Sequence, residues 1–476
     1  MLGPMKTSAL RHLVGVLGAA LLLVAAPRAI AQPQQNVDQR NGIHLGVASC
    51  SGSSCHGADE RQRNSTVQND EFKTWQRYDR HSRAYTVLKE DRARRMARAL
   101  GYPNSDASTQ RECLVCHADN VPKAMQGPQF DIADGVGCEA CHGGASGWLG
   151  IHISGATHQQ NVERGLYPTE KPVARAQKCA QCHVGDAEHF LDHRMMAAGH
   201  PPLPFETDTF TAIQPAHFTV DASYVKRKGR ITDMQVWAAG EAVLLSKHME
   251  MMLDPKRLQR GPYPDFMLFE CASCHHAFDA GKLPLSTLSG ADPQTVGSIK
   301  LNDANYVMLR VAAMRVAPDA ARNMQSHMLA LHRAAAADWA GARREAAELR
   351  KIADALAKRF EVHEFSRDDM LAFAVALVGL SDGIVDAQYQ LAEQITMSLE
   401  AVVNALKSSD NLSETQNPAV TAAMSALLNA FDPTSIRTGR MVREASETRW
   451  SSPNKQGFRS EAFAKAAQDV QRALGR

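Results

Sequence analysis

Ten cysteines fall into five pairs, and a histidine directly follows the second cysteine of every pair. Four pairs have a two-residue gap: Cys113 and Cys116 before His117, Cys138 and Cys141 before His142, Cys179 and Cys182 before His183, and Cys271 and Cys274 before His275. The first, Cys50-Ser51-Gly52-Ser53-Ser54-Cys55-His56, has a four-residue gap. Two thiols at this spacing can form thioethers to the two vinyl groups of one haem, and the next residue then lies under the iron as its axial imidazole. Disulfides would explain even pairing in an oxidising compartment, but not five trailing histidines. Zinc sites also use Cys-x-x-Cys pairs, yet they do not require an adjacent histidine each time. Five covalently bound haem c groups are therefore the expected cofactors, with no cysteine left over.

The sixth ligands are less constrained. Ten further histidines lie in the same region: His44, His81, His152, His158, His189, His193, His200, His217, His248 and His276. Five irons need five of them, so composition permits bis-histidine ligation throughout without selecting the ligands. A region of this length has too few residues per motif to wrap each haem in a separate hydrophobic core. The haems themselves must form the core, with short helices and loops between them.

Several stretches around the motifs carry a resemblance. Phe72-Lys73-Thr74-Trp75 leads to His81 and then Ala84-Tyr85. Gly135-Val136-Gly137-Cys138-Glu139-Ala140-Cys141-His142-Gly143-Gly144 precedes His152. Ala198-Gly199-His200-Pro201-Pro202-Leu203-Pro204-Phe205-Glu206 is followed by Gln214-Pro215-Ala216-His217-Phe218. Together, over about residues 43–278, the chain resembles the multihaem c-type cytochrome family that contains the nitrifier tetrahaem cytochrome (cytochrome c-554 type) and octahaem hydroxylamine oxidoreductase. The resemblance implies that His81, His152 and His200 are distal ligands. His217 and His248 are the expected ligands of the remaining two haems. The chain departs from the family pattern in having five motifs, not four or eight, and in the wide gap of the first.

The elements that hold these residues divide the chain. Lys6 and Arg11, an apolar run over Leu13–Ala26 and the small-x-small triplet Ala29-Ile30-Ala31 read as a cleaved signal peptide over residues 1–31. The run is too short to span a bilayer. A pentahaem domain is expected over 32–300 and a helical domain over 301–476, a mainly α fold throughout. In the helical part Leu349, Ile352, Leu356 and Phe360 recur at helical spacing. Ser366-Arg367-Asp368-Asp369 reads as a capping box, with Phe365 and Met370 placed for a hydrophobic staple. One long helix is expected after it, carrying Leu377, Ile384, Leu391, Ile395, Val402 and Leu406 on one stripe, weakened or kinked at Gly379 and Gly383. Asp432-Pro433 marks a break, and a last helix is expected from about Ser460. His327, His332 and His363 in this part read as surface or core histidines. A bundle packed on the haem region is the plain expectation, and a homo-oligomer or partner-docking face through it the sharper one.

Fifty-three Lys and Arg against 51 Asp and Glu leave no global basic footprint, which excludes nucleic acid as an expected partner. Arg92, Arg94, Arg95 and Arg98 follow Glu90-Asp91 on an expected helix and could dock an acidic redox partner, contact haem propionates or simply be solvated. Lys226-Arg227-Lys228-Gly229-Arg230 reads as a turn. The expected function is electron transfer between periplasmic or membrane-bound redox proteins. The alternative is an enzyme acting on a small nitrogen or sulfur compound at one haem without a distal ligand, with the irregular site at His56 as first suspect. No lysine follows any cysteine pair, unlike the catalytic haem of pentahaem nitrite reductases, which also end in long helices that pair subunits.

Overall fold

The computed structural model describes residues 42–62, 67–255, 265–275, 300–335, 338–384, 388–431 and 458–476. The signal segment, His276 and Asp432-Pro433 lie outside the described residues. The fold is mainly α: the described residues contain helices and two isolated β-bridges, His44 with Gln126 and Phe269 with Leu301, but no strand.

The motif-bearing part is built from short helices. They are α1 (Glu71–Tyr78), α2 (Asp91–Ala99), α3 (Arg111–His117), α4 (Cys138–His142), α5 (Leu149–His152), α6 (His158–Glu163), α7 (Pro172–His183), α8 (His193–Ala197), α9 (Thr207–Ile213) and α10 (Ala222–Lys228). Few are long enough to bury a stripe of their own. Their apolar contacts form small clusters, such as Leu88, Ala93, Ala97 and Ala107 against Tyr85, Cys113 and Leu114. The basic run at Lys226 is the last turn of α10, not a free turn. Its like charges sit where a helix C-terminus favours cations, and Gly229 ends it at φ +85°.

Beyond it the helices lengthen: α11 (Asp233–Leu253), α12 (Ala304–Val316), α13 (Pro318–Ala335), α14 (Trp339–Glu361), α15 (Arg367–Gly379), α16 (Tyr389–Ser408), α17 (Gln416–Leu428) and α18 (Ser460–Ala473). Helix α11 starts from a Thr232/Gln235 capping box and is buried on nearly all sides from Met234 to Ser246. It packs along α14 and also against α7, whose last turns carry Cys179, Cys182 and His183. Trp237, fully buried on α11, donates from Nε1 to Ser398 Oγ at 3.0 Å and packs on Phe373. One hydrophobic core thus runs from Ala176 on α7 through α11 to Val470 on α18. The described residues form one compact unit by their contacts.

The Ser366 capping box forms with Asp369, whose side chain accepts the Ser366 backbone N–H. Phe365 packs on Phe360 and Phe373. The long helix expected after it is two helices. Helix α15 stops at Gly379, Gly383 takes φ +80°, and α16 begins at Tyr389. Gly383, beyond the end of α15, takes the left-handed turn that no side chain there opposes. Among the described residues no helix is long and apolar enough to cross a membrane.

Candidate haem-binding site

An α-helical turn places residues i, i+3 and i+4 on one face, which is the face that two cysteines and the following histidine must share to meet one haem. The second, third and fourth motifs sit in α3, α4 and the end of α7. The fifth is a tight turn in which the His275 N–H donates to the Cys271 carbonyl at 2.8 Å. The wide-gap first motif keeps that closure. The His56 N–H donates to the Cys50 carbonyl at 3.3 Å, and the extra residues are taken up in a turn closed by the Cys55 N–H on the Gly52 carbonyl. None of the ten cysteines is in a disulfide. Among the described residues no group of three or more His, Cys, Asp or Glu side chains is arranged to hold a metal ion by itself.

Each motif histidine is faced by a second histidine from a distant segment. The ring centres of His56 and His152 are 6.1 Å apart, His81 and His183 6.1 Å, His117 and His200 6.3 Å, His142 and His217 6.2 Å, and His193 and His275 6.2 Å. A metal–imidazole bond is about 2 Å long. Two such bonds on opposite sides of one iron, plus half a ring at each end, span the observed separation. His81, His152, His200 and His217 each lie opposite one motif histidine. His248 does not. It lies on α11 among buried side chains, its ring donates to the Leu244 carbonyl, and burial pushes its pKa down to about 4. The residue across from His275 is His193, in the first turn of α8, whose ring also packs edge-on against Phe266. Sequence reasoning had His193 only as one of ten. Its one local signal is Asp192, which caps α8 through the Met195 N–H and so fixes where the His193 ring points.

The rings are held in one tautomer. His117 Nδ1 donates to the Ala84 carbonyl at 3.0 Å and His200 Nδ1 to the Pro201 carbonyl at 2.8 Å. His81 Nδ1 lies 2.8 Å from Asp79 Oδ1, and His56 Nδ1 lies 3.0 Å from Glu71 Oε2. With Nδ1 occupied, Nε2 presents its lone pair toward the facing ring. Burial drives the pKa of His142 and His183 down to about 3 and of His200 to about 4, and it also lowers His117, His152 and His217. These imidazoles stay neutral at physiological pH, the form that binds iron. Phe205 and Phe210 pack on His183 at 5.0 and 5.2 Å and keep water from it. Beside the first motif a cavity of about 370 Å³ is lined by Val47, Ala48, Ser51, Phe72, Trp75 and Arg83, among others.

The motifs touch in a definite order. The thiols of Cys50 and Cys138 are hydrogen-bonded, as are those of Cys116 and Cys182, and Cys141 lies beside Cys179. The first motif therefore neighbours the third, the third the fourth, and the fourth the second. The fifth joins at the fourth, where Met267 and Leu268 pack with Cys179 and Val184. Glu139, inside the third motif and 4% exposed, binds this arrangement together. Its carboxylate accepts the Leu45, Gly46 and Ala145 N–H groups at 2.7–2.8 Å, tying the motif to the segment that leads into the first. Gly135 permits a close approach, since at φ +73° a Cβ would stand 2.7 Å from the His81 carbonyl oxygen.

Residues 49–143 match the family model described as cytochrome c554 and c-prime. Over this stretch the chain is similar to the multihaem c-type cytochromes. The matched stretch holds the first three motifs, and His183 and His275 lie beyond it. No curated protein and no solved structure matches the chain. Covalently bound haem c is the cofactor this similarity implies, and the chain's free thiols, neutral imidazoles and paired histidines fit it. Helix α2 lies over the second motif. Ala93 and Ala97 pack toward Cys113, Arg92 donates to the Gly199 carbonyl beside His200, and Arg94, Arg95 and Arg98 are exposed. Of the histidines not facing a motif, His44, His158 and His189 are each bonded to a carboxylate: Asp119, Glu170 and Asp186.

Proposed function

We propose that this protein is an exported, periplasmic cytochrome that carries five haem c groups and passes electrons between redox proteins. The ligand pairs in this reading are His56 with His152, His117 with His200, His142 with His217, His183 with His81, and His275 with His193. Cys50, Cys55, Cys113, Cys116, Cys138, Cys141, Cys179, Cys182, Cys271 and Cys274 form the thioethers. The observation that carries the reading is that every motif histidine has a second histidine opposite it. A haem held by two histidines supplies a one-electron ferric–ferrous couple and no coordination position for a substrate.

The chain's own residues do the rest. The carbonyls of Ala84 and Pro201 and the carboxylates of Asp79 and Glu71 orient the rings. Burial keeps the His152, His200 and His217 imidazoles neutral, so an electron can arrive at those sites without a ring first losing a proton. Electrons would pass from the first motif through the third to the fourth and leave by the second or the fifth. Reaction of a small nitrogen or sulfur compound would need a motif histidine with nothing opposite, and the irregular motif at His56 has His152 there. Partners are other redox proteins, without nucleic acid.

The test is a haem count on the purified protein by pyridine haemochrome absorbance and intact mass, followed by carbon monoxide added to the reduced form. Five haems per chain and an unchanged reduced spectrum are expected. Four or fewer haems, or a carbon monoxide adduct, would contradict the reading.

A further inference from the structure

The five histidine pairs differ in what accepts the ring N–H behind the ligating nitrogen. His117 and His200 donate to the peptide carbonyls of Ala84 and Pro201, and His217 to that of Pro215. Two rings instead meet a carboxylate. Asp79 is 5% exposed. Its Oδ1 accepts both the His81 ring N–H at 2.8 Å and the His81 backbone N–H at 3.0 Å, while Oδ2 accepts the Gln214 amide at 3.0 Å. Gln214 begins the Gln214-Pro215-Ala216-His217 segment, so this carboxylate stands between the third and fourth sites. Glu71 places Oε2 at 3.0 Å from His56 Nδ1 and accepts the Gln68 N–H on Oε1.

A carboxylate behind an iron-bound imidazole draws its proton away and makes the ring a stronger donor, closer to imidazolate. A fixed negative charge one ring from the iron also favours the ferric state, which carries one more positive charge. Both effects lower a haem's potential, and a carbonyl supplies only a weak form of the first. We propose that Asp79 and Glu71 are positioning residues that sort the haem sites into two electronic classes, holding the fourth and first sites below the second and third. This rests on the ligand pairs proposed above. Along the order first, third, fourth, second, the potentials then alternate low, high, low, high. The Glu71 carboxylate is the more exposed, at 17% against 6% for Asp79, so water screens it more and its effect is the smaller.

The experiment is a spectroelectrochemical titration of the purified holo-cytochrome and of its Asp79→Asn, Asp79→Glu and Glu71→Gln variants, each with a haem count and an electron paramagnetic resonance spectrum. Asparagine keeps an acceptor for the His81 N–H and removes the charge. One of the five one-electron steps should move to higher potential in D79N, raising the ratio of reduced to oxidised haem at fixed ambient potential about tenfold, or about 59 mV for a one-electron couple. A different step should move, by less, in E71Q, and D79E should stay close to wild type. The His81 and His183 planes are 87° apart and those of His56 and His152 20°. The step moved in D79N should therefore follow a highly anisotropic low-spin signal, and that moved in E71Q a rhombic one. Unchanged potentials in a five-haem, fully low-spin D79N protein would overturn the proposal. So would loss of the low-spin signal in both D79N and D79E, which would leave Asp79 only a structural cap. A high-spin haem in the wild type would overturn the ligand pairs instead.

Discussion

At the scale of the residue, a cysteine pair and its histidine are contiguous, so five attachment points could be read from spacing alone. The facing histidines come from elsewhere in the chain: His81 precedes His183 by about a hundred residues, and His152 follows His56 by a similar distance. What selects them is where loops and caps point a ring, which spacing does not encode. Family resemblance implied His81, His152 and His200, and His217 and His248 were the expected ligands of the remaining two haems, with no motif assigned to either. The structure puts His193 across from His275 at 6.2 Å and leaves His248 bonded to its own helix. His193→Ala should convert one haem in five from low to high spin, while His248→Ala leaves all five low-spin. Electron paramagnetic resonance of the two variants checks this, and the opposite pattern would restore His248 as the ligand. Glu71, Asp79 and Glu139 were also not singled out from the sequence. Asp79 had a faint local signal, an acid two residues before a histidine, which is an ordinary turn cap until the ring is seen to use it.

At the scale of the element, capping and periodicity were readable. The Ser366 box, the stripe through Leu349, Leu356 and Phe360, and the helix from Ser460 all form, because each is specified within a turn or two. The break between α15 and α16 was misjudged as a kink, since one stripe continues across it. Buried acids in α16 were also not legible, because a charged residue on a helical pattern reads as solvated. Glu393 is 6% exposed, and burial pushes its carboxyl up to about 8. Glu206, the cap of α9, is fully buried and is raised to about 7, chiefly by burial. In the unfolded chain both titrate near 4.5. The folded state therefore binds more protons between the two values, and its stability is full below about pH 4.5 and falls as pH rises through 7–8, by roughly 1.4 kcal/mol per pH unit for each group. Thermal unfolding should occur at lower temperature at pH 8 than at pH 5.5. Glu393→Gln, which cannot ionise, should flatten that slope. An identical slope in the variant would place the effect elsewhere.

At the scale of the whole molecule, cysteine content suggests a motif-bearing part and a helical part, but their joining through one core is not legible in it. Helix α11 lies before the expected boundary at 300, yet its main partner is α14, and it also carries α7 with the fourth motif. The fourth motif is thus anchored to the largest core of the molecule, while the first and second lie among short helices held by small clusters and by Glu139. In the proposed electron-transfer reading, His183, shielded by Phe205 and Phe210, would belong to the motif held by that core. The order of motifs in space, first, third, fourth and second, differs from their order in sequence because α3 and α7 meet through Cys116 and Cys182.

The central claim is that every iron has two histidine ligands, so that the protein carries electrons and does not bind a substrate. The most direct measurement is the electron paramagnetic resonance spectrum of the oxidised protein before and after nitric oxide. The ring planes are 20° apart for His56 with His152 and 26° for His193 with His275, but 80–87° apart for the other three pairs. Low-spin signals alone are expected, rhombic from two haems and highly anisotropic from three, unchanged by nitric oxide. A high-spin ferric signal that nitric oxide abolishes would mean an open haem and would contradict the account.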